Sequence, residues 1–147
     1  MGLTSDARIA PIVVPNSVLW LEGLTFVRHW RTLESGFNDY RRGAARFAAD
    51  AVRLLGEEGR DRLIEFLSSN PRAGVVIPGT GGIRKLRWSA SGRGKRGGSR
   101  VIYYFHSESI PLFALKLYAK NEESDLSEQD KRLLASQVEG IKQDYGV

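Results

Sequence analysis

The chain contains no cysteine, which removes disulfides, thiolate nucleophiles and cysteine-ligated metals from its chemistry. Histidine is almost as scarce. His29 and His106 are the two present; they lie far apart and fit no metal-ligand spacing. No metal site and no cofactor are therefore expected. Neither a Ser-His-Asp set nor a pair of catalytic carboxylates stands out. A run of about 18 apolar residues, the minimum for a membrane-spanning helix, is missing. The apolar stretch at residues 12–24 is interrupted by Pro15, Asn16 and Glu22 and lacks the charged start and clean apolar centre of a signal peptide. No membrane association and a cytoplasmic location are expected. What the chain does have is a hydrophobic fraction of 41% over 147 residues, enough for one domain with a real core.

One further absence is local. From Ile77 to His106 there is no Asp or Glu, while Arg84, Lys85, Arg87, Arg93, Lys95, Arg96 and Arg100 all fall there. The whole chain carries 22 Lys+Arg against 17 Asp+Glu, a net +5; without these seven bases the remainder has 15 against 17 and is net −2. The entire positive excess thus sits in one segment. Charge concentrated in this way is a field aimed at an anion, and the plain reading is a polyanionic partner.

Residues 1–40 read as an N-terminal extension, either loosely packed and partly disordered or contributing a strand at 24–31, and 41–147 as the folded domain. Ala44–Leu55 has Phe47, Ala51, Leu54 and Leu55 at helical spacing. Gly56-Glu57-Glu58-Gly59 interrupts it, and a second helix runs over 60–69 with Leu63, Ile64, Phe66 and Leu67 as its apolar stripe. Asn70-Pro71 ends it, because a residue before proline is pushed out of the helical region. Residues 73–82 read as a loop. Its Gly79-Thr80-Gly81-Gly82 resembles a phosphate loop only superficially: the G-x-x-x-x-G-K-[ST] pattern is missing and a strand follows instead of a helix, so a tight turn is expected. Strands are expected at 83–88, 101–105 and 112–118, joined as an antiparallel meander. Phe113, Leu115 and Leu117 are expected on one side of the third. A final helix is capped by Ser127 and carries Leu133, Leu134, Val138 and Ile141. The fold class is α+β, an antiparallel sheet packed by a helical hairpin and a C-terminal helix.

Alternation divides the basic segment. Lys85 and Arg87 are two apart on one strand, so they project from one face and can flank one phosphate. Arg100 opens the next strand and can meet them across the ladder. Arg93, Lys95 and Arg96 lie in a glycine-rich loop that an ordinary hairpin does not need, and such loops more often bind than pack. Arg84 is a further RNA contact. Tyr103 or Tyr104 could stack on a base, although one of the two must face the helices if the sheet is covered on one side. With Lys, Arg and Tyr as its tools, an enzyme of this composition suits RNA cleavage by the RNA's own 2′-hydroxyl. A lysine held among cations can serve as base, and arginines stabilise the charge gathering on phosphorus.

The ordered string IPGTGGIRKLRW, GRGKRGGSRVIYYF and LYAKNEESDLSEQD resembles the RelE/HigB family of bacterial type II toxins, in its HigB-like branch with the GKRGG loop, over about residues 45–145. The resemblance implies a RelE-like fold: an N-terminal strand, two helices, a three-stranded meander and a C-terminal helix. It implies ribosome-dependent, metal-independent cleavage of mRNA that arrests translation. It also implies neutralisation by a cognate antitoxin, usually of helix-turn-helix type. By position, the family's active-site bases fall on Lys85, Arg87 and Arg100, its basic loop on Arg93, Lys95 and Arg96, and a further base on Lys120. Where some relatives have an arginine and then a tyrosine after the last strand, this chain has Asn121 and Ser127, which leaves Tyr118 or Tyr104 as stand-ins. The C-terminal catalytic histidine of other members has no counterpart. Members that poison DNA gyrase by protein contact, or a silent module that only binds RNA or antitoxin, are the alternatives. The family usually opens directly on a short strand, whereas about forty residues precede the first helix here. A natural start further downstream is expected, and an intact Met1 peptide in mass spectra of the native protein would exclude it.

Overall fold

The computed structural model describes residues 12–13, 37–89 and 98–147. The candidate strand at 24–31 and the three loop bases Arg93, Lys95 and Arg96 lie outside the described residues. The elements follow in the order β1 (Ile12–Val13), α1 (Phe37–Ser69), β2 (Val75–Val76), β3 (Ile83–Trp88), β4 (Ser99–Tyr104), β5 (Leu112–Ala119) and α2 (Glu128–Tyr145). The protein is α+β. Its sheet has the order β1-β5-β4-β3-β2. Strands β2 to β5 are antiparallel neighbours, and the two residues of β1 add parallel to Leu112 and Phe113 at the β5 edge.

The helical hairpin expected from the Gly-Glu-Glu-Gly interruption is a single element with a one-residue break. Gly56 alone leaves helical geometry, at φ 73° and ψ 170°, a region essentially confined to glycine. Glu57, Glu58 and Gly59 continue the helix. The helix also begins earlier, at Phe37 instead of Ala44. The break lets both halves place apolar residues in one cluster: Phe47 and Ala51 from the first, Leu63 and Leu67 from the second. Gly56→Ala has open space for its methyl group but must strain the backbone or straighten the helix and pull one half off the sheet. A loss of about 1–3 kcal/mol is expected in urea unfolding; unchanged stability would show that nothing depends on the break.

Both faces of the sheet are covered. On one, α1 packs on Val101, Tyr103, Leu112, Ala114 and Leu117. On the other, Leu134, Val138 and Ile141 of α2 pack on Ile83, Ile102, Tyr104, Phe113 and Leu115. Covering both faces explains why β5, Leu-Phe-Ala-Leu-Lys-Leu-Tyr-Ala, is buried along its length except at Lys116. Leu133, expected in the stripe of α2, is 57% exposed, because it lies about 100° around the helix from Leu134.

Two sheet details differ from the sequence reading. Val75–Val76, read as loop, pairs with Lys85 and Arg84 as the edge strand of a hairpin. Its turn contains Gly79, Gly81 and Gly82, all at positive φ, and is closed by a hydrogen bond from the Thr80 hydroxyl to the Ile77 carbonyl at 2.6 Å. The tight turn at 78–82 is therefore as expected. The larger difference is a register shift between β4 and β5. Ile102 faces Lys116, yet Tyr103 faces Ala114, so Leu115 is an extra residue on β5. A bulge turns the residues beyond it to the opposite face. Leu117 thus joins the α1 face and does not share a side with Phe113 and Leu115.

Candidate nucleic-acid interface

Cross-strand register brings the expected trio together. Arg87 lies directly opposite Arg100, and Lys85 opposite Ile102, one pair further along the same face. On its other side Arg100 is opposite Tyr118, and Ile102 is opposite Lys116. The bulge at Leu115 is what aligns Lys116 and Tyr118 with the trio. Arg87, Arg100 and Tyr118 therefore form one row across three strands, and Lys85, Ile102 and Lys116 form the next.

The row stands at the end of the sheet where the basic loop is attached. Trp88 pairs with Ser99, the last pair before residues 89–98 connect the strands. The Lys120 backbone N–H donates to the Gly98 carbonyl at 3.1 Å, which brings the turn after β5 to the same end. Trp88 closes the opposite face there, its ring 5.1 Å from that of Phe66.

The bases differ in how they are satisfied. Lys85 is paired to Asp125 at 3.1 Å. Lys116 bridges Glu123 at 2.9 Å and Asp130 at 3.1 Å, and its ammonium lies 5.5 Å above the Tyr118 ring. Arg87 and Arg100, by contrast, have no hydrogen bond or ion pair among the described residues. Two like charges directly opposite on a ladder destabilise it, and among the described residues no acid pairs with either of these two. Such an arrangement makes sense where an external anion completes it.

Tyr118 adds a second unfulfilled group. The residue is 4% exposed, and its hydroxyl is buried without a hydrogen-bond partner among the described residues. Burial first, then the Asp125 and Glu123 carboxylates, push this phenol up to about 12, while Arg100 pulls it back. It is therefore a neutral donor at physiological pH.

The remaining sequence candidates sit elsewhere. Arg84 points to the α1 side, where its Nη1 donates to the Gly74 carbonyl at 2.7 Å and the Arg72 carbonyl at 3.3 Å. It does not join the trio. Tyr104 is 2% exposed beneath α2, and its hydroxyl is 3.2 Å from Nδ1 of His106. Tyr103 is buried on the other face, accepting a hydrogen bond from the Gly74 N–H at 2.8 Å. With a helix on each side, neither tyrosine offers a ring to a base. Lys120 is exposed at the start of the turn, also without a side-chain partner among the described residues.

The sequence reading missed Lys116 and the acids of the connector. A lysine inside an otherwise apolar strand was the available signal for Lys116. Among the described residues there is no group of acids and histidines able to hold a metal ion, and no helix long and apolar enough to cross a membrane. The sequence matches no protein-family model.

Proposed function

We propose that this protein is an RNA-cleaving toxin of the RelE/HigB type, with a RelE-like fold, acting on mRNA at the ribosome in the cytoplasm and neutralised by a cognate antitoxin of helix-turn-helix type. One observation carries the reading: among the described residues, two arginines face each other across β3 and β4 without a counter-ion, beside a buried phenol without a partner. A phosphodiester answers all three needs. The arginines hold its non-bridging oxygens and stabilise the added charge of the pentavalent transition state. Tyr118, whose hydroxyl is covered in the free protein, is uncovered as the phosphate enters and donates a proton or a hydrogen bond to an oxygen of the same group. The RNA's own 2′-hydroxyl attacks phosphorus and gives its proton to water, the bond to the 5′-oxygen breaks, that oxygen leaves as a hydroxyl on taking up a proton, and a 2′,3′-cyclic phosphate remains. Lys85 and Lys120 contribute further positive charge, and Arg93, Lys95 and Arg96 grip the flanking backbone.

Mapping mRNA 5′ ends after induction in a bacterial host tests the reading. New ends inside translated codons are expected. Growth arrest with intact mRNA and damaged DNA would replace it with gyrase poisoning, and the absence of any phenotype would leave a silent binding module.

A further inference from the structure

The connector between β5 and α2, residues 120–127, carries three acids, each held by a base from a different element. Glu122 is paired to Arg53 of α1 at 2.7 Å, Glu123 to Lys116 of β5 at 2.9 Å, and Asp125 to Lys85 of β3 at 3.1 Å. The first ion pair fastens the connector to α1, and the second to Lys116, in the row of Lys85. The third brings a carboxylate to a member of the trio. Asp125 is held in place from its own backbone as well, since its Oδ1 accepts the Leu126 N–H at 2.8 Å. Its charge also reaches the Tyr118 hydroxyl, where it opposes that of Arg100. A fixed negative group is thus paired to Lys85 and lies within electrostatic reach of Tyr118, two of the side chains that the cleavage reading assigns to the RNA.

We infer that Asp125 is a built-in stand-in for phosphate, occupying Lys85 until an RNA phosphate exchanges with it. The inference rests on the RNA-cleavage reading. The ion pair is half-exposed, with side chains 35% and 56% accessible, so it is worth no more than about fivefold in an equilibrium constant. A phosphodiester that also engages Arg87 and Arg100 forms several charge-assisted hydrogen bonds at once and displaces it. A small anion meeting Lys85 alone gains too little to do so. Asp125 therefore tunes the site toward polyanions and holds Lys85 in position while the site is empty. It is a positioning residue, and the RNA does not need to touch it.

The test is a double-mutant cycle read by fluorescence anisotropy. The probe is a labelled 2′-O-methyl RNA hexamer, which lacks the attacking hydroxyl and is not cut. Asp125→Asn keeps the carbonyl that caps the Leu126 N–H, so the fold is retained, as far-UV circular dichroism would verify. The variant should bind about threefold tighter than wild type. The slope of log K against log salt should steepen by about 0.7, because one less internal carboxylate takes back a cation on binding. In a Lys85→Met background, or Lys85→Gln where methionine disturbs the fold, the same Asn substitution should have no effect. Equal affinities for wild type and Asp125→Asn would overturn the inference. So would an equal gain in both backgrounds, since that reports only a change in net charge. In either case the RNA reading survives if Arg100→Ala weakens binding. If wild type, Asp125→Asn and Arg100→Ala all fail to bind, the RNA reading falls and takes the inference with it.

Discussion

Arg100→Ala is expected to lower mRNA cleavage by about 10²–10³-fold, the usual cost of removing one donor that stabilises transition-state charge. It should leave the fold as stable as before, or slightly more so. The second half of that expectation separates a functional arginine from a structural one. Arg100 is partly buried and lies directly across from Arg87, with no acid beside the pair among the described residues. Removing it breaks no hydrogen bond or ion pair among the described residues and relieves a like-charge contact worth a few tenths of a kcal/mol to about 1 kcal/mol. A structural arginine such as Arg84, bonded to two carbonyls, should behave the other way, losing stability on truncation because acceptors are left unpaired. Primer extension on mRNA from a translating extract measures the first quantity and urea denaturation the second. Wild-type cleavage by Arg100→Ala would remove the residue from the site. A marked loss of stability would give it a structural role that the register does not suggest.

The placement of Lys85, Arg87 and Arg100 on one face was legible because strand alternation is local. Three residues of known parity in two consecutive strands fix a face wherever the hairpin register is regular, and β3 pairs with β4 without a slip. The helix cap at Ser127 was legible for the same reason, as its hydroxyl accepts the Asp130 N–H within one turn. The bulge in β5 was not. Nothing in Leu-Phe-Ala-Leu-Lys-Leu-Tyr-Ala marks Leu115 as the extra residue, because a strand buried on both faces has no polar alternation to interrupt. Yet that one residue sends Leu117 to α1 and aligns Lys116 and Tyr118 with the trio. The partner of Lys85 was hidden as well. The acid-free segment ends at His106, but Asp125 returns to Lys85 from 40 residues away in sequence. Local charge counting therefore showed where the bases cluster, while the long-range ion pairs decide which remain free. Among the described residues of the segment, Arg87 and Arg100 are free of ion pairs and Lys85 is not. The two tyrosines show the same limit: whether one or both are buried depends on whether helices cover one face or two, and that is a property of the whole chain.

Tyr118→Phe should change activity and stability in opposite directions. Its hydroxyl is buried and has no partner among the described residues, so deleting it removes an unsatisfied polar group and should stabilise the protein by about 1 kcal/mol or more at neutral pH. The same deletion removes the neutral donor beside Arg100 and should lower cleavage by about 10²-fold. A defect in folding would lower both quantities, so the divergence is what identifies a catalytic role. The alkaline limb gives an independent check. Burial, then the nearby carboxylates, raise the phenol from 10.0 to about 12 in the folded protein. The folded state thus favours the protonated form. This contribution is fully present below pH 10 and is lost as the pH rises from 10 through about 12. Tyr118→Phe should make the alkaline loss of stability shallower. It will not abolish that loss, because Tyr103, Tyr104 and Tyr145 are also raised by burial. Wild-type cleavage by the Phe variant would deny Tyr118 the donor role. An unchanged melting temperature with an unchanged alkaline limb would mean that the hydroxyl already has a partner, and the arginine pair would then have to hold its anion without it.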